Sequence, residues 1–149
     1  MNVVVDRHSE VGRFVPHGII RSGIEDRINY MLLQGPFNKE ALQTFAMKHS
    51  EQVHGLARNG AYVQLTVFLE NMEMPMEAFD LVAQSMMNND VNENATSAVA
   101  FVAANDVVGR EILMPRFQKT YEKHGRNFRS FESEDMARAW LATVLNSKQ

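Results

Sequence analysis

The chain has 149 residues, of which 45% are hydrophobic, and a net charge of −3; that is the length of one domain, and no stretch approaches the roughly 20 consecutive apolar residues of a membrane-spanning helix. It contains no cysteine, which excludes disulfides, thiolate metal sites, cysteine nucleophiles and thiol switches together. A mild negative charge argues against a broad nucleic-acid surface, and the first eight residues lack the basic region and apolar core of a secretory signal, which points to the cytoplasm.

Residues 1–16 read as an N-terminal extension, with a short strand at Val3–Val5 and a stop at Pro16, ahead of one domain over 17–149. Gly18–Ser22 and Arg27–Gln34 flank Gly23–Asp26, which predicts a β-hairpin with a loop of four or five residues. Gly35-Pro36 ends the second strand. Asn38 is a good N-cap, and Phe37 and Leu42 stand at the two positions of a hydrophobic staple, so a helix is predicted from there to about Ala57. Val63, Leu65, Val67 and Leu69 alternate with Gln64 and Thr66, the pattern of a half-buried strand. A helix from about Pro75 turns Phe79, Val82, Ala83, Met86 and Met87 inward, and a polar loop follows at 88–94.

Ser97–Ala104 is apolar nearly throughout, which predicts a strand covered on both faces at the centre of the sheet. The next helix, read over Asp106–His124, contains Pro115 and is expected to kink or break there. A short strand at Asn127–Phe131 and a final helix complete the chain. Ser133 caps that helix, and Met136, Ala137, Trp140, Leu141, Val144 and Leu145 form its inward stripe, with Trp140 largely buried. The fold class is therefore α/β.

This order, with His17-Gly18, Leu33–Asn38, Asn105-Asp106 and Phe131–Leu141 at matching places, resembles the STAS-like superfamily typified by anti-sigma-factor antagonists. The resemblance covers about residues 17–146. It implies a mixed sheet with helices packed chiefly on one face, and a regulatory or protein-interaction role without catalysis. In phospho-switched members a serine lies in the loop after the third strand of the domain. Here that loop, Leu69–Pro75, has neither Ser nor Thr, and Glu70 and Glu73 put a permanent negative charge where a switched relative acquires one. The fold also resembles lipid-carrier domains, which implies an alternative: a small apolar ligand or lipid held between sheet and helices.

Charge is unevenly placed. Residues 59–109 carry Glu70, Glu73, Glu77, Asp80, Asp90, Glu93 and Asp106 without a single Lys or Arg, whereas 110–129 carry Arg110, Arg116, Lys119, Lys123, Arg126 and Arg129 against Glu111 and Glu122. Such blocks serve either as solvated faces or as docking surfaces. Methionines crowd the acidic block, and methionine adapts its shape at binding surfaces. The candidate partner-binding residues are therefore Glu70, Met72, Glu73, Met74, Met76, Glu77 and Asp80, facing a basic surface on another protein or on a second copy in a homodimer.

Other chemistry has little to stand on. His49 interrupts the apolar face of the first helix and reads as a packed histidine with one satisfied bond, a proton-relay role being the competing reading. His54, five residues on, is about 140° away around the helix and cannot share a metal with it. His8, His17 and His124 lack metal-ligand spacing, and Asp90–Asn94 begins like a calcium loop but has Ala95 and Phe101 at its sixth and twelfth positions. No phosphate loop or nucleophile elbow occurs, so no cofactor and no catalytic residue is predicted.

Overall fold

The computed structural model of the protein describes residues 2–6, 18–88 and 96–147; for 2–6 and 86–88 it describes the course of the backbone alone. His8, His17, most of the extension, the 89–95 part of the polar loop and the side chains of Met86 and Met87 lie outside the described residues.

Among the described residues six strands, β1 (Asn2–Asp6), β2 (Ile19–Glu25), β3 (Ile28–Gln34), β4 (Val63–Leu69), β5 (Ala98–Ala103) and β6 (Phe128–Phe131), form one sheet in chain order. The first three pair antiparallel and the rest are parallel. The helices of the described residues, α1 (Lys39–Ala57), α2 (Met76–Asn88), α3 (Arg110–Lys123) and α4 (Glu134–Ser147), complete a mixed α/β fold. The parallel strands step in one direction across the sheet, so right-handed crossovers put α1, α2 and α3 on the same face. Helix α4 packs on the opposite face, against β4 and β5.

The larger core lies under α1–α3, where Met31, Leu33, Leu42, Phe45, Phe68, Met72, Phe79, Phe101, Phe117 and Tyr121 interlock. Phe101 meets Phe68, Phe117 and Phe128 edge-on at ring separations of 4.9–5.4 Å, an arrangement that aromatic quadrupoles favour. On the other face Ala137 and Leu141 are wholly buried against Val63, Leu65, Ala98 and Ala100. Facing alanines let α4 approach the sheet closely. Trp140 is consequently only partly buried, tilted against Phe131 with the Arg129 guanidinium 5.2 Å above its ring, and Met136 is exposed. The inward stripe predicted for α4 is therefore rotated: it centres on Ala137 and Leu141.

Local signals hold where they are strong. The Asn38 side chain accepts the Ala41 N–H at 2.9 Å, and Phe37 and Leu42 are both buried. Ser133 Oγ accepts the Met136 N–H at 3.3 Å.

Four expectations need correction. The hairpin loop is only Asp26 and Arg27, with Asp26 in the left-handed region at φ 52°, so Gly23 and Ile24 belong to β2. Arg27 then donates from the hairpin to the carbonyls of Leu56, Gly60 and Ala61 at 2.6–2.8 Å, closing the C-terminal end of α1. β4 is not half-buried, because α1 covers the face that carries Gln64 and Thr66. β5 is buried throughout but lies next to the edge strand β6, so double coverage by helices, rather than central position, makes it apolar. Finally, α3 starts at Gly109 in a left-handed conformation and continues through Pro115 without breaking.

Candidate partner-binding site

In open α/β sheets the loops after the carboxyl ends of the parallel strands gather at one edge, where ligands and partners are met. Here they are laced together. The β4–α2 loop receives the Gly35 N–H at Asn71 O (2.8 Å) and the Phe37 N–H at Glu73 O (2.9 Å) from one side. From the other, Met72 N–H donates to Val108 O and Val108 N–H to Glu70 O, both at 2.9 Å. Asn71 and Val108 thus continue the parallel pairing past the strands.

Glu70 stands at the start of this loop with φ 60°, a conformation that costs a side-chain-bearing residue about 1–2 kcal/mol. Its carboxylate accepts the Gln34 side-chain N–H at 2.9 Å. Asn71 Oδ1 accepts the Glu73 N–H at 2.8 Å, while Asn71 Nδ2 donates to the Glu73 carboxylate at 3.2 Å. Backbone strain fixed by surrounding bonds is a feature of functional loops.

Of the candidate residues, Glu70, Glu73, Met76, Glu77 and Asp80 are exposed, and Met74 is partly buried against the core. Met72 is 0% exposed: it belongs to the core and leaves the candidate surface. The two β-bonded neighbours of the loop force that inversion, because they hold Met72 facing the helices. Met76 takes its place, 53% exposed at the start of α2, with an Arg116 nitrogen 3.8 Å from its sulfur.

Val108 and Ile112, 50% and 67% exposed, join the same surface. Val108 pairs with Asn71. A Cβ built on Gly109 would lie 2.8 Å from Glu73 Cγ, and Ile112 is one helical turn before Arg116. Neither residue stands out in the sequence. Their signal, apolar residues beside Gly109 at a loop–helix junction, is legible only once α3 is known to begin there. The surface is an apolar patch of Met76, Val108 and Ile112 rimmed by Glu70, Glu73, Glu77 and Asp80.

A second cluster sits inside. His49 is buried under β3 and β4, stacked on Phe45 at 5.9 Å, with Nδ1 3.3 Å from Asn29 Nδ2. Asn29 Nδ2 also reaches Gln64 Oε1 at 3.5 Å, and Gln64 Nε2 donates to Thr66 Oγ1 at 3.2 Å. Burial alone lowers the His49 pKa to about 4, so the ring is neutral and Nδ1 is the acceptor from Asn29. The packed histidine with one satisfied bond is what the sequence predicts. His54 is exposed on the other side of the helix.

The space between α1, α2 and the sheet, where a carried ligand is expected, is occupied by Leu42, Phe45, Phe68, Met72, Phe79 and Val82, all buried. Two cavities bounded by described residues lie elsewhere: about 320 Å3 between α3 and β6, and about 70 Å3 beside Ile19, Leu32 and Leu69. Among the described residues no three His, Asp or Glu side chains converge as a metal site, and no helix is long and apolar enough to cross a membrane. No protein-family model, curated protein or solved structure matches the chain.

Proposed function

We propose that the protein is a non-enzymatic, STAS-like interaction module whose β4–α2 loop and adjoining helix starts dock a basic surface of a partner protein. One observation supports this above others: a loop bonded to its neighbours on both sides holds Glu70 and Glu73, with Glu77 and Asp80 beyond, around exposed Met76, Val108 and Ile112. A rigid apolar centre with a charged rim gives affinity through the centre and partner choice and encounter rate through the rim. The filled core beneath α1 and α2 favours this reading over carriage of an apolar ligand. A photo-crosslinking residue in place of Met76, used in cells of origin, tests it. Discrete adducts with a basic protein, lost when Glu70, Glu73 and Glu77 become Gln, are expected; adducts unchanged by those substitutions would refute the charged rim.

A further inference from the structure

Helices α2 and α3 each run back from the carboxyl end of one parallel strand to the start of the next, so they lie on one face of the sheet and point the same way. Packing fixes their relative height. Phe79 and Phe117 meet at 4.5 Å between ring centroids, and the Arg116 guanidinium sits 5.8 Å from the Phe79 ring. At about 1.5 Å of rise per residue, Glu77 is therefore level with Arg116, Asp80 with Lys119 and Gln84 with Lys123 to within about one residue. Both sets have the same spacing, three residues and then four, which keeps each on a single face of its helix. All of these side chains are exposed.

The acids of α3 stand on a different face of that helix. Glu111 lines the groove against β6, and Glu122 accepts a bond at 2.6 Å from Gln118, another residue of that groove. Arg116 rests on the Phe79 ring and the Met76 sulfur, and among the described residues no ion pair joins the α2 stripe to the α3 stripe within one molecule.

An acidic and a basic stripe of equal spacing, at equal height on one face, make that face complementary to itself. A two-fold axis between α2 and α3, parallel to both, lays α2 of each copy over α3 of the other without shifting the levels, and every contact is made twice. Glu77 then faces Arg116 of the second copy, and Asp80 faces Lys119 of the second copy. At the helix starts the same rotation brings Met76 toward Ile112 of the second copy, side chains that are 53% and 67% exposed, which adds an apolar end to the charged seam. Any other partner would need cations at this same spacing beside an apolar residue; this chain already carries them.

Resting on the reading of the acidic patch as a docking surface, we propose that its partner is a second copy of this chain, the α2 stripe of each protomer seated on the α3 stripe of the other in a two-fold dimer.

Sedimentation velocity of the full chain tests this, with Asp80→Lys and Lys119→Glu made separately. Wild type should dimerise, with a dissociation constant that rises about tenfold from low to high salt. Each variant alone should be monomeric, because either reversal sets like charges against each other on both sides of the axis. Mixed in equal amounts, the two variants should form a heterodimer: the reversed position of one faces the reversed position of the other, and the remaining pair is the native one. Misfolding cannot mimic that recovery. Wild type monomeric at millimolar concentration, a dimer indifferent to either reversal, or variants that stay monomeric when mixed would each overturn the proposal. A monomeric chain whose position 76 still crosslinks, in a charge-dependent way, to a protein of another mass would sink the dimer and keep the docking surface; a monomeric chain without charge-dependent adducts would sink both.

Discussion

Gly35 and Asn71 touch through their backbones: the Gly35 N–H donates to the Asn71 carbonyl at 2.8 Å, and a Cβ at position 35 would lie 2.6 Å from that same oxygen. The acidic loop is thus seated on a position that has no room for a side chain. Gly35→Ala should force the loop outward and cost about 1–3 kcal/mol, the usual range for overpacking. Gly55→Ala is the control, since Gly55 is inside α1 with nothing within 4 Å. It should stabilise by about 0.5–1 kcal/mol through helix propensity. Urea denaturation of the two variants checks both signs.

The methionines of the loop should separate cleanly. Met72→Ala removes a wholly buried side chain and should cost about 2–5 kcal/mol, whereas Met76→Ala should change stability by less than about 0.5 kcal/mol. The same denaturation assay measures both. A large loss at Met76 would mean that its contact with Arg116 is structural and not a spare surface.

His49 ties stability to pH. Its folded pKa is about 4 against an unfolded value near 6.5, so below pH 6.5 the unfolded chain takes up a proton that the folded one refuses. Stability present above pH 6.5 is therefore lost as pH falls toward 4. The loss between pH 7 and pH 5 should be about 2 kcal/mol from this residue. In His49→Leu that part of the slope should vanish. Asn29 keeps Gln64 as a partner, and the Nε2 atom, which has no hydrogen-bond partner among the described residues, is gone. Denaturation curves at the two pH values, wild type against variant, measure the difference.

What is legible in the sequence follows from range. The start of α1 depends on Asn38, Phe37 and Leu42, all within a short span, and local caps of this kind read correctly. Gln64 and Thr66 mislead because alternation reports polarity, not solvent. Their partners, each other and Asn29 from β3, are supplied by the neighbouring strand and the residue two along, with His49 of α1 closing the cluster. The hairpin loop is misplaced from sequence because Gly23 is the more obvious turn residue, yet Asp26 takes the left-handed conformation. Half the patch is legible as well: its acids are close together in sequence, while Val108 and Ile112 arrive from the next crossover.

Trp140 shows the same limit in α4. Its helical spacing implies a buried aromatic, but the closest approach is made by Ala137, leaving Trp140 on the flank between Phe131 and Arg129. Trp140→Ala should therefore cost about 1–3 kcal/mol, below the roughly 3–5 kcal/mol of a fully buried aromatic. Leu141→Ala should cost at least as much despite the smaller side chain, because Leu141 is wholly enclosed. Thermal and urea unfolding rank the two.

The acidic rim makes the sharpest functional prediction. Glu70, Glu73 and Glu77 are exposed, so replacing all three by Gln should leave the unfolding midpoint nearly unchanged; isolated surface charges contribute little to stability. A glutamine carbonyl at position 70 would still accept the bond from Gln34, which preserves the loop. Encounter with a basic partner responds differently, since long-range attraction sets how often the surfaces meet, and it is screened over about 10 Å at 0.1 M salt. The association rate of the crosslinked partner, measured by stopped flow, should fall severalfold in the triple variant at low salt and converge with wild type at high salt. Dissociation, governed by Met76, Val108 and Ile112, should change little with the charges and rise when Ile112 becomes Ala. An association rate indifferent to both salt and the three substitutions would remove the rim from the mechanism of docking.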